Sequence, residues 1–570
     1  MEKWFVSMKK ADFNQIAEKY RISPILARLI RNRDMTSDQE IDFYLNGTIA
    51  DLFDGMLMKD MDKAVEILAE KIREGAPIRV IGDYDIDGVN ATYVLQEGIA
   101  KLGGDVDTDI PDRIKDGYGL NRMLIDRALE EGIDTIITCD NGIAASEEIA
   151  YGKKQGLTII VTDHHEVPYL DAGSGREYLL PQADAVIDPH RADCDYPFKG
   201  LCGAAVAYKL VEALYEVMQR DVDDVDYLMQ NVAIATVGDV MDLVGENRIF
   251  VKQGLEMLKR TNNHGLKALM ECTGVPVDRL SAYHIGFVIG PCINASGRLD
   301  TAKRALELLN APNRREAVML AEDLKALNDS RKEMTEKGVE EAVEQIENTS
   351  MGEDKVLVIY LPDCHESIAG IIAGRIKERY YRPTFVLTAG EEGVKGSGRS
   401  IEAYNMFEEM CKCRALFTKF GGHKLAAGLS LKEENVGRFR EVINELADLS
   451  EEDMLPKVSI DMQLPLPYVT EELVSELELL EPFGKGNTKP VFAEKNLKVI
   501  SPKIIGKNQN VLKFRVQDQR GNQMEAVYFG DAAACMEYMR GKPEMSFTFY
   551  PSINEYMGNR TLQITVTNYQ

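Results

Sequence analysis

The sequence predicts a multidomain α/β protein: a parallel-sheet domain, a long connecting helix, a second α/β domain and a C-terminal β-barrel. Three observations predict it. At 570 residues the chain exceeds what one hydrophobic core organises. From Ile78 onward, short β-branched runs alternate with helical stretches, the pattern of a doubly wound parallel sheet. After Leu455 the pattern changes to short strands separated by turns, which suits a small barrel.

Residues 1–75 read as helical, with Ser23-Pro24 as a helix start and apolar faces from Ile25 to Ile30 and from Met61 to Ile72. The run from Ile78 to Ile81 is a buried strand, and Asp134 to Cys139 and Leu157 to Thr162 are two more, separated by a helix from Ser146 to Gln155. Asn313 to Glu347 is charged, lacks proline and reads as one helix, about 50 Å long at ~1.5 Å per residue; a break near Gly338 is the alternative. Strands from Lys355 to Tyr360 and Thr384 to Thr388 flank a helix from Ser367 to Tyr380. The barrel strands are placed at Val458 to Met462, Leu497 to Ile500, Val511 to Gln517, Met524 to Tyr528, Ser546 to Tyr550 and Thr561 to Thr567. The expected domains are therefore 1–75, 76–312, the helix 313–348, 349–450 and 455–570.

Composition excludes several classes. With 45% hydrophobic and 28% charged residues the chain is neither disordered nor fibrous. No apolar run approaches the roughly 18 residues of a membrane span, and Met1 to Lys10 lacks a signal-type apolar core; a cytoplasmic protein with no membrane partner is expected. The 9 cysteines are scattered and form no CxxC pair, so reduced thiols are expected. A net charge of −26 argues against a general nucleic-acid coat, and a polyanionic substrate would need a locally basic groove.

The chemistry lies at strand ends. Gly82-Asp83-Tyr84-Asp85-Ile86-Asp87-Gly88 puts three carboxylates on one turn, where they repel one another unless a divalent cation intervenes. Alone, it would also suit a solvated acidic turn. The next strands end in Asp140-Asn141-Gly142 and Asp163-His164-His165-Glu166, and a further carboxylate, Asp239, follows Gly238. Imidazole is a common transition-metal ligand, and an adjoining aspartate can orient its ring; a histidine capping the next helix is the bland alternative. Asp85, Asp87, Asp140, His164, His165 and Asp239 together are the ligand inventory of a two-metal site, which points to hydrolysis of a phosphoester or phosphoanhydride. In the second α/β segment, Gly396-Ser397-Gly398-Arg399 reads as a flexible, donor-rich loop amid basic residues, fit to approach a phosphate. A turn on a solvated basic face is equally compatible with it. Tyr118 is a candidate for base stacking, and a glycine-flanked tyrosine equally suits a turn anchor.

These motifs resemble the DHH phosphoesterase superfamily, and Pro111-Asp-Arg113, Asn294-Ala-Ser-Gly-Arg298, His365-Glu366-Ser-Ile-Ala-Gly370, Gly396-Ser397-Gly-Arg399 and Gly421-Gly422-His423 extend the match to its RecJ branch. Ile81 and Ile86 stand where relatives often carry histidine and alanine, and neither change removes a ligand. The resemblance implies a single-stranded-DNA-specific 5′ to 3′ exonuclease that releases nucleoside 5′-monophosphates and acts in DNA repair and recombination. It implies two Mn²⁺ or Mg²⁺ ions on the six ligands, with Asp83 and Asp163 beside them. Arg113, Arg298, Arg375, Ser397 and Arg399 would contact the substrate backbone, with His423 near the scissile phosphate, and the barrel would be of the oligonucleotide-binding (OB) type. A single-strand-binding protein and a RecQ-type helicase are the partners the resemblance suggests, and a monomer is expected. The alternatives are a DHH phosphodiesterase of short oligonucleotides or cyclic dinucleotides, a DHH pyrophosphatase, and a non-enzymatic scaffold binding single-stranded DNA during replication. The barrel disfavours the pyrophosphatase, and the complete ligand set disfavours the scaffold.

Overall fold

Every residue of Ile78–Ile81 is buried, and a strand without an exposed face belongs inside a sheet covered on both sides. In the computed structural model, which describes residues 2–113, 116–171, 176–390, 393–556 and 558–570, it lies within a five-stranded parallel sheet. The order is Val106–Asp109, Ile78–Ile81, Thr135–Cys139, Thr158–Thr162, Ala185–Ile187. The chain leaves Ile78–Ile81 to one side and returns on the other at Thr135–Cys139. A crevice opens at such a reversal, beyond the carboxyl ends of the two strands. Helices Ile86–Lys101 and Gly203–Val217, each buried along most of its length, cover one face; Leu124, Ile125 and Ile149 pack with Ile136 and Ile159 on the other.

The chain divides into two compact units. The larger comprises Trp4–Gly290, Leu306–Ala317 and Val458–Gln570, and therefore holds both the parallel sheet and the barrel. Phe492–Ile505 pairs with Val511–Gln517 on one edge and with Met545–Tyr556 on the other. Gln523–Phe529 and Asn559–Tyr569 complete the ring, so five strands close without a free edge. Along Val511–Gln517, Leu512, Phe514 and Val516 point inward in strict alternation.

The N-terminal helices do not form a core of their own. Leu26, Leu29, Ile30, Ile41 and Tyr44, from Pro24–Asn32 and Asp38–Asn46, join Phe514, Phe547, Phe549 and Ile564 of the barrel in one hydrophobic cluster. Arg248 ties the pieces together. Its buried guanidinium donates to the carbonyls of Tyr44, Leu480 and Leu479 at 2.9, 2.9 and 3.0 Å, while lying 4.0 Å from the Tyr44 ring centroid.

The smaller unit, chiefly Pro291–Ala305 and Val318–Lys457, has its own sheet in the order Phe417–Gly422, Ala426–Leu431, Gly393–Arg399, Thr384–Gly390, Leu357–Tyr360. Leu357–Tyr360 and Thr384–Gly390 are parallel and linked through helix Ala369–Tyr380; the other pairings are antiparallel. The structure corrects the reading of Gly396 to Arg399 as a loop, because these residues pair on both sides within the sheet. Glycine is needed there for packing: a Cβ on Gly396 would meet Leu387 at 2.4 Å, and one on Gly398 the Met406 sulfur at 2.4 Å. The helix Arg314–Asn348 runs unbroken for 35 residues, and at Gly338 a Cβ would strike Ile372 at 2.4 Å.

Candidate metal centre

Two helix N-termini converge on the acidic turn in the larger unit. Asp85 caps Ile86–Lys101, accepting from the N–H groups of Asp87 and Gly88 at 3.0 and 3.1 Å. Asp87 is fully buried and accepts from the first amides of the second helix, Gly203 at 2.6 Å and Ala204 at 2.7 Å. Free N–H groups and the helix dipole favour carboxylates at both places. Asp140 follows Thr135–Cys139 with φ at 58°, a left-handed conformation that aspartate tolerates better than most residues.

His164 Nε2 lies 3.0 Å from Asp140, 3.4 Å from Asp87 and 3.9 Å from Asp239. Three overlapping triads result, each with ligand atoms within 4.8 Å of one another: Asp140, His164 and His165; Asp87, His164 and Asp239; Asp83, Asp85 and Asp140. Asp163 orients the imidazole beside them. One of its oxygens accepts from His165 Nδ1 at 2.7 Å and from the His164 and His165 amides, and the other from the Ile143 amide at 2.9 Å.

The electrostatics of the cluster favour a bound cation. Burial, then the charges of Asp87 and Asp85, hold the Asp140 carboxyl well above its ordinary range and push Asp239 up to about 8. Burial and Asp85 push Asp83 up to about 8 as well, and its buried Oδ1 has no hydrogen-bond partner among the described residues. Burial would lower His165, but the Asp163 carboxylate outweighs it and raises the ring to about 9. Carboxylates packed this closely are relieved by divalent cations, and an oxygen-rich set with two imidazoles suits Mn²⁺ or Mg²⁺.

The structure brings the six candidate ligands, Asp83, Asp163 and Tyr118 into one cluster. The Tyr118 hydroxyl donates to the Asp140 carbonyl at 3.0 Å, and its ring stands edge-on to His165 at 5.9 Å. Arg113 lies 5.0 Å from the ring of Tyr84, which in turn meets Tyr118 edge-on at 6.2 Å. Asp239 is corrected in one respect. Grouped with the strand ends from sequence, it caps the C-terminus of helix Met229–Gly238. The remaining candidates belong to the smaller unit. Arg298 Nη1 donates to the Ser367 carbonyl at 2.9 Å, and Ser397 and Arg399 both border Gly370 on the helix that carries Arg375. His423 is exposed in the turn before Ala426–Leu431, its amide donating to the Ala426 carbonyl at 2.8 Å.

Sequence reasoning missed Gly203. Its amide holds Asp87, and a Cβ there would come within 2.7 Å of Asp140 Cβ. A glycine opening an apolar helix gives no local signal of that contact. Asn141 is not among the candidate ligands, yet its buried amide donates to the Ile81 and Cys139 carbonyls at 3.1 and 2.9 Å, tying the two strand ends that carry the acids.

Three family models match the chain: the DHH family N-terminal domain over residues 77–236, the DHHA1 domain over 353–448 and the RecJ OB domain over 460–568. The single-stranded-DNA-specific exonuclease RecJ of Bacillus subtilis is 34% identical over 99% of this chain and 70% of its own length. The protein of the same description from Escherichia coli is 33% identical over 99% of both. The crystal structure of RecJ in complex with Mn²⁺ from Thermus thermophilus superposes with a TM-score of 0.83 at 28% identity, covering 100% of this chain and 79% of that one. The Mg²⁺ complex gives 0.78 at 26% identity, covering 100% and 78%.

Proposed function

This chain belongs to the RecJ family, and on that premise we propose how it acts as a metal-dependent exonuclease of single-stranded DNA: Asp85, Asp87, Asp140, His164, His165 and Asp239 hold the two ions, and Asp83 and Asp163 support them. The observation that carries the assignment is the set of three overlapping triads sharing His164 and Asp140. Two Mn²⁺ or Mg²⁺ ions bound there supply an activated water and charge stabilisation for the leaving oxygen of a phosphodiester. The chain's own residues do the rest. Asp163 keeps the His165 ring turned with Nδ1 toward its carboxylate, so the ligand bond would fall to Nε2, which in this structure lies 3.2 Å from the Tyr118 hydroxyl. The amides of Gly203 and Ala204 fix Asp87, and those of Asp87 and Gly88 fix Asp85, so the carboxylates are held in place by backbone.

Cleavage runs 5′ to 3′ in this reading and releases nucleoside 5′-monophosphates, in DNA repair and recombination. Arg113 beside the centre, and Arg298, Arg375, Ser397 and Arg399 in the smaller unit, are proposed to grip backbone phosphates, arginine doing so bidentately. Tyr118 is proposed to face a base and His423 the scissile phosphate. A cytoplasmic monomer working with a single-strand-binding protein and a RecQ-type helicase completes the proposal, supported by the family alone.

The test is digestion of 5′-labelled and 3′-labelled single-stranded DNA, beside its duplex, with Mn²⁺. Early release of labelled mononucleotide from the 5′ end only, the duplex spared, is expected, and Asp140→Asn is expected to abolish it. Turnover of dinucleotides with the long strand left intact would refute the reading.

A further inference from the structure

Next to the metal cluster, within the larger unit, lies a cavity of about 900 Å³ that the catalytic assignment leaves without a role. Its volume sits at the upper end of ordinary ligand cavities, roughly 300–1,000 Å³. Three features of its lining are of the kind that recurs at ligand sites. Tyr283 and Phe287 are 63% and 69% exposed, large aromatic surfaces left in water, and their rings stack at 4.9 Å and 27°. Phe287 is carried on a single π turn, Ile285–Ile289, a rare irregularity that recurs at functional sites. Val240, the neighbour of Asp239, has φ at 58° and is 59% exposed; a β-branched residue in that conformation is strained, and strain concentrates at ligand sites. Lys252 also lines the cavity, and no carboxylate pairs with it among the described residues.

We propose that this cavity is a base-stacking subsite for the part of the single strand that has yet to be cleaved, with Phe287 and Tyr283 as the stacking faces and Lys252 opposite a backbone phosphate. The proposal rests on the nuclease reading above and adds the path of the strand beyond the metal centre. Val240 is the link, because the residue that lines the cavity directly follows one that borders His164. The charges suit a strand laid bases inward. Glu478 and Glu481 also line the cavity; they would repel phosphate but accept hydrogen bonds from base amino groups. Aromatic stacking is indifferent to sequence, since every base has a π-face, which is what a nuclease without sequence preference needs.

The experiment uses the full chain without divalent metal, so that the strand is bound and not cut, and single-stranded oligonucleotides carrying 2-aminopurine at successive positions. Wild-type protein is expected to quench one or two adjacent positions. Phe287→Ala and Tyr283→Ala are expected to remove that quenching, and Phe287→Trp to retain it. With Mn²⁺ restored, Phe287→Ala is expected to raise KM for a long strand about tenfold, the order of one lost stacking contact. Because Phe287 is exposed, an unchanged melting curve separates this from misfolding. Quenching and KM identical to wild type in Phe287→Ala would overturn the proposal while leaving the nuclease reading intact, and would assign the cavity to a different ligand. Wild-type protein that neither binds nor cuts single strands would overturn both.

Discussion

Replacing Asp163 by asparagine separates orientation of a ligand from ligation itself. Asp163 accepts four hydrogen bonds, three on Oδ1 from His165 Nδ1, His165 N and His164 N, and one on Oδ2 from Ile143 N. Asparagine keeps a single acceptor oxygen. Turned toward the histidines, it retains three of the bonds and sets its NH₂ against the Ile143 amide, a buried donor left unpaired at about 1–3 kcal/mol. The negative charge is lost in either orientation, so the His165 ring loses the carboxylate that raises its basicity most, with only the more distant Asp87 and Asp239 charges left to do so. Removing such a partner weakens metal binding by about 10- to 100-fold, or ~1.4–2.8 kcal/mol. Calorimetric titration with Mn²⁺ should show that weakening, and nuclease activity should return at high Mn²⁺ with a melting temperature lowered by a few degrees. A Kd for Mn²⁺ within about twofold of wild type would refute the reasoning, because it would mean that His165 needs no orienting carboxylate to act as a ligand.

Gly203→Ala is expected to displace Asp140, whose Cβ lies 2.7 Å from the new methyl, and to lower kcat by about a hundredfold with the protein still folded; wild-type kcat would show that the helix start yields instead. Arg399→Ala should raise KM for single strands at least about tenfold while single-turnover cleavage at saturating DNA is preserved, and a fall in that rate with unchanged binding would assign Arg399 to chemistry. In the barrel, Glu494 accepts from Leu466 N at 2.8 Å, and burial pushes its carboxyl from 4.5 up to about 7. The folded state therefore holds this proton to higher pH than the unfolded chain does, so its contribution to stability declines as pH rises from about 4.5 to about 7. Glu494→Gln, which keeps the acceptor and removes the charge, should match wild type at pH 4, below the unfolded pKa, and melt higher at pH 8. Equal melting temperatures at pH 8 would contradict this.

Periodicity and strand-end chemistry are local properties, and the order of residues along the chain suffices to settle what they control. The apolar run from Ile78 to Ile81 announced a buried strand because only a central strand buries both faces. The acids after it pointed to a cation once the later strand ends, Asp140 and Asp163-His164-His165, were seen to carry ligand types as well. The unbroken charged stretch gave the helix Arg314–Asn348, and the alternation of Leu512, Phe514 and Val516 gave a barrel strand. Proximity between distant segments is not a local property, and it emerges only once the chain is folded. The start of helix Gly203–Val217 meets Asp87 and Asp140, Asp239 arrives from a helix and not from a strand, and the N-terminal helices share one core with a barrel more than 400 residues away. A Gly-Ser-Gly-Arg segment that suits a loop by composition is a strand because distant segments pair with it on both sides, and its glycines are needed because Leu387, Leu429, Phe385 and Met406 leave no room for a Cβ on Gly396 or Gly398. Tyr283 and Phe287, four residues apart, share a helix face as any such pair does, and only the folded chain shows that this face stands in water and lines the cavity beside Val240.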